Sequence, residues 1–74
     1  MAIVRNLEKI NLERDSAHTE VEGTYSIINS AEGNYLQIDT YGSKERQEQG
    51  KKSQSIRLSP EVINQLKNII NDEI

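Results

Sequence analysis

The stretch TEVEGTYSIINSAEGNYLQIDTYG, residues 19–42, decides the fold. From Thr19 to Asn29, Val21, Gly23, Tyr25 and Ile27 alternate with Glu20, Glu22, Thr24 and Ser26. That period of two is a half-buried strand, with Tyr25 expected in the core and its hydroxyl at the rim. Ser30 to Asn34 is a turn in which Gly33 is the natural left-handed residue. From Tyr35 to Tyr41 the alternation resumes, with Leu36 and Ile38 inward. Two alternating runs joined by a tight turn make a hairpin.

Working toward the C-terminus, Gly42 to Lys52 is polar and reads as a long loop or wing. Ser53 to Leu58 is a third strand with Ile56 and Leu58 inward. Ser59-Pro60-Glu61 then supplies an N-cap, a proline suited to the first helical position and an acid in the first turn. Val62, Ile63, Leu66, Ile69, Ile70 and Ile74 follow at helical spacing. The spacing predicts a helix from about Pro60 to about Asp72. Its aliphatic stripe is wide enough to pack on a sheet and also meet a second copy of itself.

Toward the N-terminus the pattern is ambiguous. Ile3, Val4, Leu7 and Ile10 fit a helical stripe. Ile10 and Leu12 also fit a strand pairing with Thr19 to Asn29, connected through Asp15-Ser16-Ala17-His18. A strand or irregular segment around Ile10 to Glu13 is the reading adopted. The fold class is α+β: a small antiparallel sheet of three to four strands followed by a C-terminal helix, as one domain over residues 1–74.

Composition sets the limits. A chain of 74 residues buries only about 60% of its unfolded surface. It has no cysteine, and one histidine without a thiol cannot build a zinc cage. Disulfides and a structural zinc site are thereby excluded, and no metal or cofactor is expected. Hydrophobic residues make up 34%, with no Trp or Phe and three Tyr, so pairing of copies is the remaining source of core. The residues expected in that interface are Val62, Ile63, Leu66, Ile69 and Ile70. No apolar run approaches a membrane span, and Arg5, Glu8 and Lys9 interrupt the first ten residues, so neither anchor nor signal peptide is expected. A cytoplasmic location is the default.

The net charge of −3 argues mildly against nucleic acid, but it hides an asymmetry. Residues 1–32 hold three basic against six acidic side chains, residues 33–59 hold five against three, and residues 60–74 hold one against three. The positive middle runs from Lys44 to Arg57. It reads either as a solvated loop or as a local contact for phosphates. The strand face opposite Leu36 and Ile38 carries Tyr35, Gln37, Asp39 and Tyr41, and a neighbouring third strand adds Ser53, Ser55 and Arg57. Tyrosines among cations and short polar groups suit single-stranded nucleic acid, because rings stack on bases and cations hold phosphates. The same residues also make an ordinary solvated sheet face. The candidate contacts are Tyr35, Tyr41, Lys44, Arg46, Lys51, Lys52 and Arg57. No hydrolytic set can be assembled around Asp39, no glycine-rich phosphate loop exists, and His18 sits in a turn with no second ligand nearby. A non-enzymatic protein is expected.

From Tyr25 onward the order of features resembles the transcriptional positive cofactor four family, small coactivator-like proteins that bind single-stranded DNA. The likeness covers YSIINSAEGNYLQIDTYG, a polar wing, and GKKSQSIRLSPEVINQLKNII. It rests on the turn glycine, on Leu36-Gln37-Ile38-Asp39 and on the Gly50-Lys51-Lys52 lead-in. It rests further on Ile56-Arg57-Leu58 and on the Ser59-Pro60-Glu61 helix start followed by Gln65-Leu66-Lys67. The resemblance implies a curved antiparallel sheet of about four strands, a C-terminal helix, and a homodimer whose helices pack together. It also implies a sheet-and-wing surface for single strands, with Lys51 and Lys52 matching the family's basic lead-in and Tyr41 near its strand-end aromatic. Val62 and Ile63 stand where the family has an early helix aromatic, and two extra residues separate Lys52 from Ile56. The Gln-Ile-Asp-Thr-Tyr-Gly-Ser run is also similar to short bacterial proteins. The expectation is thus a dimeric module for single-stranded DNA or RNA. The alternative is a small bacterial or phage regulator that binds a protein partner through its acidic N-terminal third or its sheet face.

Overall fold

The computed structural model describes residues 1–42 and 52–74. Four strands and one helix occur in chain order: β1 Ala2–Val4, β2 Gly23–Ser30, β3 Gly33–Tyr41, β4 Lys52–Leu58 and α1 Pro60–Glu73. The spatial order is β1-β4-β3-β2. The α+β class and the C-terminal helix are as expected, but the sheet is mixed rather than antiparallel. β1 runs parallel to β4, with Ala2 opposite Ile56 and Val4 opposite Leu58. Residues 5–22 contain neither strand nor helix, which corrects the strand considered at Ile10 to Glu13 and moves the start of β2 from Thr19 to Gly23. The hairpin already occupies one edge of β4's neighbour, so the first residues find their partner on β4's free side. The chain needs a long connection to arrive there in parallel.

β2 and β3 pair from Gly23 opposite Thr40 to Ser30 opposite Gly33. Only Ala31 and Glu32 form the turn between them. Gly33 takes φ +126°, which L side chains rarely adopt, and a Cβ there would lie 3.1 Å from Pro60 Cγ. Ser30 Oγ steadies the turn by donating to Gly33 O at 3.0 Å and accepting from Glu32 N–H at 3.2 Å. β3 pairs with β4 from Leu36 opposite Leu58 to Tyr41 opposite Lys52, with an irregularity between Thr40 and Tyr41.

The registers build two apolar rows across all four strands. One is Val4, Leu58, Leu36 and Ile27; the other is Ala2, Ile56, Ile38 and Tyr25. Ser59 caps α1, its Oγ accepting from Val62 N–H at 3.3 Å, and the helix packs chiefly on β3 and β4. The buried hydrophobic residues are Tyr35, Leu58 and Val62, the last with no exposed surface. Tyr25 is 74% exposed, contrary to its expected place in the core. The alternation put it on the apolar face correctly, but the helix lies on the central strands and leaves β2 at the edge.

The helix also holds the chain's beginning. Gln65 Oε1 accepts from Leu7 N–H at 2.9 Å, Gln65 Nε2 donates to Asn6 Oδ1 at 3.1 Å, and Lys9 meets Glu73 at 2.7 Å. Val4 O accepts from Ser59 N–H at 3.1 Å. Among the expected interface residues, Val62 lies inside the chain's own core. Ile63, Leu66 and Ile69 are half-buried, and Ile70 is exposed.

Candidate nucleic-acid interface

The other face of the sheet is polar and hydrogen-bonded along its length. The β3–β4 register sets Gln37 opposite Arg57 and Asp39 opposite Ser55, and residues directly opposite share a face. Arg57 donates from Nε and Nη2 to Gln37 Oε1 at 3.2 and 2.6 Å. Gln37 Nε2 donates to Asp39 Oδ1 at 3.0 Å. Ser55 Oγ donates to the same Asp39 oxygen at 2.5 Å, and Lys52 Nζ stands 3.3 Å from Asp39 Oδ2. Four residues of two strands thus support one guanidinium through a continuous chain of donors and acceptors. Gln37 and Asp39 are buried, and every buried side-chain polar atom among the described residues has a partner.

Asp39 is the electrostatic centre of this ladder. Its carboxyl is held below the ordinary carboxylate value, first by the Ser55 hydroxyl and then by Gln37 and Lys52, against burial acting in the opposite direction. It is therefore an ionised acceptor committed to structure, not a free base. His18 is exposed in the segment between β1 and β2, and Asp39's hydrogen-bond partners among the described residues are Gln37, Ser55 and Lys52. Among the described residues no group of three His, Cys, Asp or Glu could hold a metal ion.

Tyr35 is on this face but is not an open ring: it is 7% exposed. Its hydroxyl donates to Glu32 Oε2 at 2.5 Å and accepts from Arg5 Nη1 at 3.3 Å, with the guanidinium 5.8 Å over the ring. Arg5 also stands 3.7 Å from Glu32. Its pKa is raised, chiefly by the Tyr35 hydroxyl. Tyr41 is half-buried and shares a 2.9 Å hydrogen bond with Thr24, whose register partner is Asp39. Lys52 keeps an exposed side chain and Arg57 is half-buried. Lys44, Arg46 and Lys51 lie outside the described residues.

The structure therefore brings Arg57, Lys52 and Tyr41 toward one face, closes Tyr35, and adds Arg5. The sequence offered no signal for Arg5, because its position depends on the parallel pairing of a three-residue strand with residues more than fifty positions away. Gln37 carried a weak signal: a long amide in the middle of an alternating strand, opposite an arginine once the register is known. Arg57 uses two of its five N–H donors on Gln37, and no hydrogen bond to another described residue takes the rest. Among the described residues no helix is long and apolar enough to cross a membrane. Comparison with protein-family models, curated proteins and solved structures finds no match to this chain.

Proposed function

We propose that this chain is a non-enzymatic, coactivator-like module that binds single-stranded DNA or RNA through the polar face of its sheet, with little sequence preference, and works as a homodimer in the cytoplasm. The observation that carries the reading is the Arg57–Gln37–Asp39 ladder. It orients the guanidinium of the half-buried Arg57, whose remaining donors no described residue takes, on the same face as Lys52 and Tyr41. Phosphate oxygens are the natural acceptors for such a group, and the Tyr41 ring, four residues along β3 from Gln37, is the stacking surface at the other end of the ladder. Lys44, Arg46 and Lys51 would extend the track. The half-buried Ile63, Leu66 and Ile69 with exposed Ile70 form the helical seam that pairing would use. Resemblance to the positive cofactor four family supports the same assignment.

Fluorescence anisotropy of a labelled single-stranded oligonucleotide at low salt tests the proposal. Saturable binding that weakens steeply with salt is expected. A flat titration at tens of micromolar protein would overturn it.

One observation favours the second reading, a docking module for a protein. Ile10, Leu12 and Val21 are exposed in the segment of residues 5–22, which also carries Glu8, Glu13, Asp15, Glu20 and Glu22. Such a segment suits a basic, partly apolar protein surface. Stoichiometric recovery of a protein free of nucleic acid, together with a flat oligonucleotide titration, would select it.

A further inference from the structure

We infer that a second copy of this chain covers the apolar face of the sheet, centred on Tyr25, Ile27, Ile38 and Ile56. The inference rests on the homodimer part of the reading above and is independent of nucleic acid.

The two transverse rows differ in cover. The row through Leu58 and Leu36 lies beside the start of α1 and contains the buried Leu58. The row through Tyr25, Ile38, Ile56 and Ala2 continues the same face and is more open, with Tyr25 74% and Ile56 38% exposed; at their β2 ends both rows lack cover among the described residues, Ile27 being 55% exposed. Beside this row a groove of about 530 Å³ is lined by the apolar Met1, Ala2, Ile38 and Ile56 and by polar residues that include Thr40 and Ser55. The rows carry no charged side chain, whereas Arg5, Glu32, Asp39, Lys52 and Arg57 gather on the polar face or its end. A net charge of −3 opposes self-association, and an uncharged surface adds no local repulsion to it. A two-fold contact sets the same patch against itself, and a neutral apolar patch is complementary to its own copy.

Area points the same way. A folded monomer of this mass exposes about 4600 Å², whereas this chain exposes 6637 Å². Its radius of gyration is 14.6 Å, against about 11 Å for a compact domain of its length. Part of the surplus belongs to residues 5–22, exposed throughout. A standard interface removes about 800 Å² from each partner, less than the whole surplus of about 2000 Å².

Sedimentation equilibrium of the full chain from 1 to 200 μM, with Tyr25→Glu, Ile27→Ser and Ile70→Glu, tests the inference. The parent should show twice its 8.4 kDa chain mass. Tyr25→Glu should raise the dimer dissociation constant at least 100-fold and Ile27→Ser at least fivefold, with the circular dichroism spectrum retained. Both positions are exposed in the single chain, so neither change strains its fold. Weakening by Ile70→Glu as well supports a seam spanning sheet and helix. A parent that stays at 8.4 kDa overturns the inference and leaves the face to bases or a protein partner. Dimerisation that survives Tyr25→Glu and Ile27→Ser, or is lost only with Ile70→Glu, overturns it too. An oligonucleotide titration of the same samples separates failure here from failure of nucleic-acid binding.

Discussion

Arg57 gives its Nε and Nη2 hydrogens to a single acceptor, Gln37 Oε1, although a buried carboxylate, Asp39, is one amide further along the same face. The guanidinium is therefore oriented by a neutral group, and its charge is not cancelled by that bond. A direct pair with Asp39 would have consumed the charge. The interposed amide passes Asp39's influence on as geometry.

This arrangement separates two effects in binding. Arg57→Gln should weaken single-stranded oligonucleotide binding and lower the magnitude of its logarithmic salt slope by about one, because one phosphate contact is lost. Gln37→Met keeps the charge but removes its anchor, so affinity should fall with the salt slope unchanged. Anisotropy titrations at several salt concentrations measure both. Equal slopes for parent and Arg57→Gln would remove Arg57 from the contact.

Asp39 predicts the acid side of stability. Its folded pKa lies below the ordinary value of 3.8, chiefly through Ser55. The stabilisation is thus complete above that value and is lost as pH falls through the lowered folded pKa. Glu61 adds the same sign, held down by its own backbone N–H and by Ser59. Melting temperatures from pH 7 to pH 2 should fall on the acid side. Asp39→Asn should start lower at pH 7 and show a shallower fall. Parallel curves for the two proteins would exclude Asp39 as a source of the acid limb.

The helix start is the energetic hinge of a small core. Ser59→Ala removes the acceptor for Val62 N–H and should cost about 1 kcal/mol. Val62→Ala empties a fully buried position and should cost about 2 kcal/mol. Urea unfolding checks both. A Val62→Ala loss smaller than that of Ser59→Ala would contradict the packing described.

Gly33 should resist any side chain. Gly33→Ala forces a Cβ onto φ +126° and into Pro60, at 3.1 Å from its Cγ. The expected cost is at least about 1 kcal/mol, and thermal melting should show it as a fall of about 4–8 °C for each kcal/mol in a domain of this size. An unchanged melting temperature would show that the turn and the helix start can move apart freely.

The hairpin and helix were legible because each is specified within about twenty residues: alternation and a turn glycine for one, a cap and aliphatic spacing for the other. Ala2–Val4 was not legible as a strand. Three residues carry no period, and their partner lies across the whole chain. The candidate face was legible as a set, since Gln37, Asp39, Ser55 and Arg57 do share one side. Which of its rings is open was not. Alternation distinguishes two faces but does not say how far each is covered along every strand. Tyr35, on the polar face of a central strand, is closed by Arg5 and Glu32, while Tyr25, on the apolar face of an edge strand, is left open.

β2 has a consequence of its own. It is an outer strand of eight residues, GTYSIINS, without a charge or a proline, so its outward N–H and C=O groups form an unguarded template for another strand. The nearest guards, Glu22 and Glu32, stand just beyond its two ends. Those two carboxylates are the charges placed to oppose fibrillar stacking along this edge. Neutralising them, by acid or by substitution, is the route by which this fold would turn into cross-β aggregate.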